Sequence, residues 1–224
     1  MKNPNFDANA LLQNPMIQAQ LSAEQSKWIQ QGAAYAKVKV YHYAKNIYNL
    51  TGIQKLYLET LSKTIGTTNM EKARFDSDGF LVGVGLEIAK AAAEVTVMGT
   101  ADFSNLLQDA AGVKQDSDDA TTQSIFDLRG AASLRVDPAF RSGEFRYVVD
   151  GNELFSCLAD DFFVDSNINS LGLKGDFNNF ISLLATPRII KQSQQVTPVI
   201  EMNSAVALFN AVRIKHYVLE ITKM

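Results

Sequence analysis

The stretch EFRYVVDGNELFSCL, residues 144–158, contains the clearest structural signal in the chain. Apolar and polar residues alternate on both sides of Asp150-Gly151, and such alternation is typical of strands with one buried face. Asp-Gly favours a two-residue hairpin turn, because both turn positions require a positive φ angle. The stretch therefore predicts a β-hairpin with strands over residues 144–149 and 152–158.

Short runs of the same kind continue through most of the chain. They cover residues 34–45, 54–61, 80–88, 94–98, 133–137, 183–190, 197–202 and 211–222. After residue 32, helix is expected only near Ala101–Gln108 and Ser204–Asn210. Strands without crossover helices pair antiparallel. We therefore predict a mainly β fold, an antiparallel β-sandwich of about ten strands that form one barrel rather than two.

Residues 1–32 predict an N-terminal arm with short helices. Asp7 is a candidate N-cap, Pro15 interrupts the helical run, and Ser22 with Gln25 forms a capping-box pattern before a helix that Gly32 ends. Apolar residues are too sparse here for a separate core, so the arm must lie on its own domain or on a neighbour. The predicted organisation is an arm, 1–32, and a β-sandwich body, 33–224.

Composition excludes several classes of protein. The 224 residues include 21 basic and 24 acidic side chains, a net charge of -3, which excludes a disordered polyelectrolyte and disfavours a histone-like nucleic-acid binder. Residues 1–63 carry seven lysines and three acidic residues, a balance of +4, which leaves -7 for the remainder. Either surface charge simply varies along the chain, or the basic head faces an acidic neighbour or an enclosed nucleic acid.

Few residues suggest chemistry. His42 and His216 lie in the middle of predicted strands and Cys157 lies in an apolar run, so all three are interpreted as structural. Asp165, Asn167, Asn169 and Asp176 have the spacing of calcium-loop ligands, but Ser170 replaces the turn glycine and Asp176 replaces the bidentate glutamate. The sequence therefore predicts no enzyme activity, no catalytic residues, no cofactor and no metal site, and these four remain the only metal candidates.

The longest apolar runs have about ten residues, far fewer than a membrane-spanning helix needs. The N-terminal residues also lack the continuous apolar segment of a signal peptide, since Asn and Gln interrupt it. We therefore expect synthesis in a reducing cytoplasm, followed by retention there or release by lysis.

Five segments, taken in order, resemble jelly-roll capsid proteins of tailless icosahedral bacteriophages. They are TTNMEKARF (67–75), FLVGVGLEI (80–88), SGEFRYVVDGNELF (142–155), FISLLATPRIIKQSQQ (180–195) and VRIKHYVLEI (212–221). The resemblance spans roughly residues 54–222. It implies a jelly-roll fold and a structural virion protein that self-assembles into an icosahedral shell as a homo-oligomer, with a trimer as one candidate unit. Two features depart from that lineage: the chain is too short for its usual double jelly roll, and Asp76–Gly79 replaces its usual turn. A single-jelly-roll relative, a minor capsid component and a non-viral relative therefore all remain open.

The resemblance and the arm together predict how subunits associate. Leu11, Leu12, Trp28 and Ile29 are expected to anchor the arm to an adjacent subunit. The expected partners are other copies of the chain, other virion proteins, and a nucleic acid or inner membrane that faces the arm. The expected location is the virion, after synthesis in the host cytoplasm.

Two alternatives compete with a capsid subunit. A carbohydrate-binding or adhesive β-sandwich would use exposed aromatic rings, and its candidates are Tyr35, Tyr41, Tyr43, Tyr48 and Tyr57. A cupin-like enzyme would require a cluster of histidines on one strand, which this sequence lacks.

Overall fold

The computed structural model describes residues 7–47, 49–60, 62–90, 138–162, 180–206 and 210–224. Its strands are β1 (Ala34–Asn46), β2 (Gly52–Lys55), β3 (Gly79–Lys90), β4 (Glu144–Val149), β5 (Asn152–Leu158), β6 (Phe180–Ile190), β7 (Val199–Met202) and β8 (Asn210–Lys223). Its helices are α1 (Ala8–Leu12), α2 (Pro15–Gln18), α3 (Ala23–Gln30) and α4 (Pro138–Arg141), and a 3-10 turn covers Ala159–Phe162.

The strands form two four-stranded antiparallel sheets. Sheet 1 has the order β1-β8-β3-β6, and sheet 2 has the order β2-β7-β4-β5. The prediction of a mainly β, antiparallel fold is confirmed. The predicted runs 94–98 and 133–137 and the predicted helix at 101–108 lie outside the described residues.

One hydrophobic core lies between the two sheets. Sheet 1 contributes Leu86, Ile214 and Val218, while sheet 2 contributes Phe145 and Tyr147, and all five side chains are buried. Because alternate residues of a strand point to opposite faces, the remaining residues of sheet 1 face away from this core. This second face, called here the outer face of sheet 1, carries the arm.

The hairpin at residues 144–158 forms as predicted. Asp150 and Gly151 have φ angles of 48° and 78°, the pair of positive values that a two-residue turn of this type requires. Glu144 and Val149 at the ends of β4 pair with Leu158 and Asn152 of β5.

Two predicted segments differ from the structure. Of the strand expected at 54–61, only residues 54 and 55 are in a strand, β2. The Leu56 N–H donates to the Pro198 carbonyl at 2.9 Å, but Pro198 has no N–H to donate in return, so the ladder stops there. The prediction of a helix near Ser204–Asn210 is wrong for residues 204–206 and 210, which are the described residues of that range. The Val206 N–H donates to the Leu50 carbonyl instead, and residue 210 begins β8.

The arm contains the short helices that its capping residues predict. The Asp7 carboxylate accepts hydrogen bonds from the N–H groups of Asn9 and Ala10, and Ser22 and Gln25 form both bonds of the capping box. α1 contacts β1, α2 contacts β6, and α3 contacts β1 and β8. The arm therefore lies across the outer face of sheet 1.

Candidate functional site

The arm buries apolar side chains against the outer face of sheet 1. Leu12 and Ile17 are buried in a second hydrophobic cluster that also contains Phe80, Val82, Tyr217, Leu219 and Ile221 of the sheet. Ile17 is fully buried, whereas the neighbouring Met16 is 45% exposed. We call the contact between these arm residues and these residues of sheet 1 the arm interface.

The structure brings three of the four predicted anchoring residues to the arm interface of the same chain. Leu12 is buried there, and Leu11 and Ile29 pack against it with part of their surfaces exposed. Trp28 is half-buried. Their proposed role between subunits stays a prediction.

Among the described residues, the side-chain hydrogen bonds between the arm and the sheet are made by Gln20. The Gln20 side-chain amide donates to the Pro187 carbonyl at 2.9 Å and accepts from the Ile189 N–H at 3.4 Å. The arm joins β1 through Gly32, which has a φ of +65° and lies in open space, since a Cβ atom at this position would meet nothing within 4 Å. The interface therefore depends mainly on apolar burial.

Replacing Ile17 with Ala should loosen the arm. A buried Ile→Ala change costs about 2 to 5 kcal/mol. Because Ile17 anchors the arm, this loss should weaken the attachment of the arm to sheet 1. We expect faster cleavage of the arm by a nonspecific protease and a red shift in the fluorescence of Trp28, the only tryptophan in the sequence. Met16→Ala removes a side chain that is 45% exposed and should have a much smaller effect on both; equal effects of the two variants would contradict the observed packing.

Beyond the arm interface, the outer face of sheet 1 carries a buried charge cluster. Glu87 on β3 is almost completely buried, and its carboxylate accepts hydrogen bonds from Arg213 and Lys215 on the adjacent strand β8. His42 pairs with Lys215 across β1 and β8. Burial and the charges of Arg213 and Lys215 lower the pKa of His42 to about 4. His42 is therefore neutral at pH 7.

The second histidine lies in the core between the sheets. His216 Nδ1 lies 2.8 Å from the Tyr147 hydroxyl, so this hydrogen bond joins β8 of sheet 1 to β4 of sheet 2. Burial lowers the pKa of His216 to about 3 and raises that of Tyr147 well above its ordinary value. The Tyr147 hydroxyl therefore stays protonated and the imidazole stays neutral at pH 7, and the tautomer of His216 decides which of the two groups donates in this bond. Nε2 has no hydrogen-bond partner among the described residues.

Cys157 and the four metal candidates are the remaining residues that the sequence analysis considered. Cys157 is half-buried, and burial together with the charge of Asp161 raises the pKa of its thiol to about 11. The metal candidates Asp165, Asn167, Asn169 and Asp176 lie outside the described residues. Within the described ranges, no three His, Cys, Asp or Glu side chains converge as metal ligands.

No helix in the described part of the chain has the length and apolar character that a membrane crossing needs.

The five tyrosines considered for sugar stacking do not form one surface. Tyr41 and Tyr43 are buried in the core between the sheets, whereas Tyr35 is 53% exposed. Tyr57 is half-buried, and Tyr48 lies outside the described residues. At least two of these rings are therefore unavailable to a ligand.

Sequence reasoning did not identify the Glu87 cluster or the Tyr147–His216 bond. Each joins residues far apart in the chain, 126 positions for Glu87 and Arg213 and 69 for Tyr147 and His216. The one available signal for the cluster was a glutamate within the apolar run FLVGVGLEI, since a buried carboxylate requires a partner.

Comparison with known proteins adds no family. The sequence matches no protein-family model, and no curated protein is significantly similar to it.

Proposed function

We propose that the chain folds as one eight-stranded jelly roll. The support is the set of strand pairs: β1 with β8, β2 with β7, β3 with β6, and β4 with β5. These pairs are nested, so the eight strands behave as one long antiparallel hairpin that closes at the β4–β5 turn. Wrapping such a hairpin around a core places alternate pairs in opposite sheets, which is the construction of a jelly roll.

We further propose that the protein is a structural virion protein, a capsid subunit that self-assembles and has no catalytic role. The nested strand pairing is the observation that carries this proposal, because jelly rolls are a common architecture of viral capsids. The same architecture serves metal-dependent enzymes, which would need several histidines in one place. The sequence has two histidines, and the strand register turns His42 to the outer face and His216 to the core.

The arm suggests how the subunits associate. We propose that in the shell the arm reaches an adjacent subunit through Leu11, Leu12, Trp28 and Ile29, and that it occupies there the face that it covers here within one chain. The apolar contact and the glycine at the junction with β1 support this exchange, since both are compatible with a change of partner. Many such contacts, each weak, would close a symmetric lattice.

This proposal includes location and partners. The protein would be made in the host cytoplasm and incorporated into the virion, where it contacts other copies and other virion proteins. Its N-terminal part, with a charge balance of +4 over residues 1–63, would face an enclosed nucleic acid or an inner membrane.

Deletion of residues 2–30 tests the role of the arm. It removes α1, α2 and α3, which lie on the outer face of sheet 1, so we expect the assembled species to disappear from a sedimentation-velocity profile. A shorter deletion of residues 2–6, which leaves α1 to α3 in place, is the control and should sediment as the intact protein does. Unchanged assembly in the long deletion would contradict the proposal.

A further inference from the structure

A polar cleft of about 740 Å³ lies at one end of the sandwich. Residues of the segment between β2 and β3 form one side, and the turn after β6 forms the other. The lining residues are Lys63, Glu71, Lys72, Arg74, Phe75, Asp76, Gln192 and Ser193. This volume is within the range of pockets that hold small molecules.

The lining carries three cations, Lys63, Lys72 and Arg74, and two carboxylates, Glu71 and Asp76, a net charge of +1, although residues 64–224 as a whole carry -7. Asp76 is 2.9 Å from Lys63 and 2.6 Å from Lys39, so two cations share its carboxylate. Burial alone would raise the pKa of Asp76, but the bonds from Lys39 and Lys63 lower it below its ordinary value. Lys72 and Arg74 are exposed and form no ion pair with any described residue.

The backbone between Glu71 and Arg74 is strained. Lys72 and Ala73 have φ angles of 50° and 57°, and two consecutive non-glycine residues in this left-handed region are uncommon. The turn is held from both sides. The Arg74 N–H donates to the Glu71 carbonyl at 2.9 Å, and the Val196 N–H donates to the carbonyl of the buried Ala73 at 2.8 Å. This conformation places Lys72 and Arg74, which form no ion pair with a described residue, at the cleft, and such backbone strain is concentrated at functional sites.

Phe75 is the only aromatic residue among the described lining residues, and its packing leaves its ring unavailable for stacking on a ligand. Phe75 is buried and stacks on Tyr41 with ring centroids 4.6 Å apart. The Tyr41 hydroxyl donates to Glu220 at 2.6 Å and accepts from the Asp76 N–H at 2.9 Å. A ligand would therefore be held by charge and hydrogen bonds rather than by ring stacking.

We propose that this cleft binds a phosphate group, either as free phosphate or as the phosphate of a sugar phosphate. Arg74 can present two parallel N–H donors to phosphate oxygens, Lys72 supplies a second mobile cation, and the Ser193 hydroxyl and Gln192 amide can donate to the rest of the ligand. The proposal stands on the charge and backbone of the cleft and does not depend on the assembly of the chain.

Calorimetric titration of the full chain with inorganic phosphate, glucose 6-phosphate and glucose tests this proposal. We expect both phosphates to bind and glucose not to bind. Equal affinities would identify free phosphate as the ligand, whereas at least about tenfold tighter binding of glucose 6-phosphate would identify the sugar phosphate. Absence of binding of both phosphates up to about 10 mM would overturn the proposal.

A double variant, Lys72→Asn with Arg74→Gln, separates binding from folding. Asn tolerates a positive φ angle, so the variant should unfold at the same temperature as the parent or higher, while phosphate affinity falls at least about tenfold. Lys27→Gln with Lys223→Gln removes the same charge from exposed sites elsewhere and should bind as the parent does. Unchanged affinity in the cleft variant, or an equal loss in the control, would contradict the assignment.

Discussion

Glu87→Gln is expected to destabilise the protein by about 3 to 5 kcal/mol. The Glu87 carboxylate is 1% exposed and accepts from both Arg213 and Lys215, of which Lys215 is itself buried. An amide keeps the shape of the side chain but removes its charge, which leaves two cations close together at a site with little water. Breaking a buried charge cluster on one side is costly for this reason. Urea denaturation followed by circular dichroism measures the change.

The pair formed by Arg146 and Glu201 provides the matched control. Its atoms are 2.6 Å apart, but the two side chains are 30% and 43% exposed. Exposed pairs of this kind contribute at most about 1 kcal/mol, so Glu201→Gln should be nearly neutral. If the two substitutions cost the same, Glu87 is not buried as described.

Acid should begin to destabilise the protein at a pH above the range in which carboxylates titrate. An unfolded histidine takes up a proton near pH 6.5, whereas the pKa of His216 is about 3 in the folded protein. The unfolded state therefore binds more protons between these values, and stability is lost as the pH falls through this window. We expect His216 to lower the free energy of unfolding by about 3 kcal/mol between pH 7 and pH 4.

The slope of stability against pH isolates this effect. His216→Gln can still accept a hydrogen bond from Tyr147 but cannot titrate, so the variant should lose about 3 kcal/mol of the change in unfolding free energy between pH 7 and pH 4, whatever its stability at pH 7. His42→Gln should remove nearly as much, because the pKa of His42 is about 4 and this histidine also stays neutral in the folded protein over most of the window. An unchanged slope in His216→Gln would show that this histidine is not buried in neutral form.

Strands with local signals could be predicted from the sequence, and their partners could not. Asp150-Gly151 determines its own hairpin because the turn and both strands are adjacent in the chain. β1 and β8 show clear alternation, yet nothing in that pattern indicates that Ala34 pairs with Lys223. The nested pairing depends on contacts between strands that are far apart in the chain, and local sequence patterns do not specify such contacts.

The candidate sites follow the same rule. The arm was predictable because capping residues and sparse apolar positions are local signals. The surface that it contacts was not predictable, because Phe80, Tyr217 and Leu219 come from strands that are far apart in the chain. The cleft was missed because two of its cations, Lys72 and Arg74, lie in the segment TTNMEKARF, where they look like ordinary exposed charges. Only the left-handed backbone at Lys72 and Ala73 distinguishes them.

The mass of the intact protein in solution tests the proposed function most directly. Size-exclusion chromatography with light scattering, repeated over a range of concentrations, would measure it without any substitution. A capsid subunit should elute as an assembly many times heavier than the 24.6 kDa chain. A single species of 24.6 kDa at every concentration would contradict a shell-forming role.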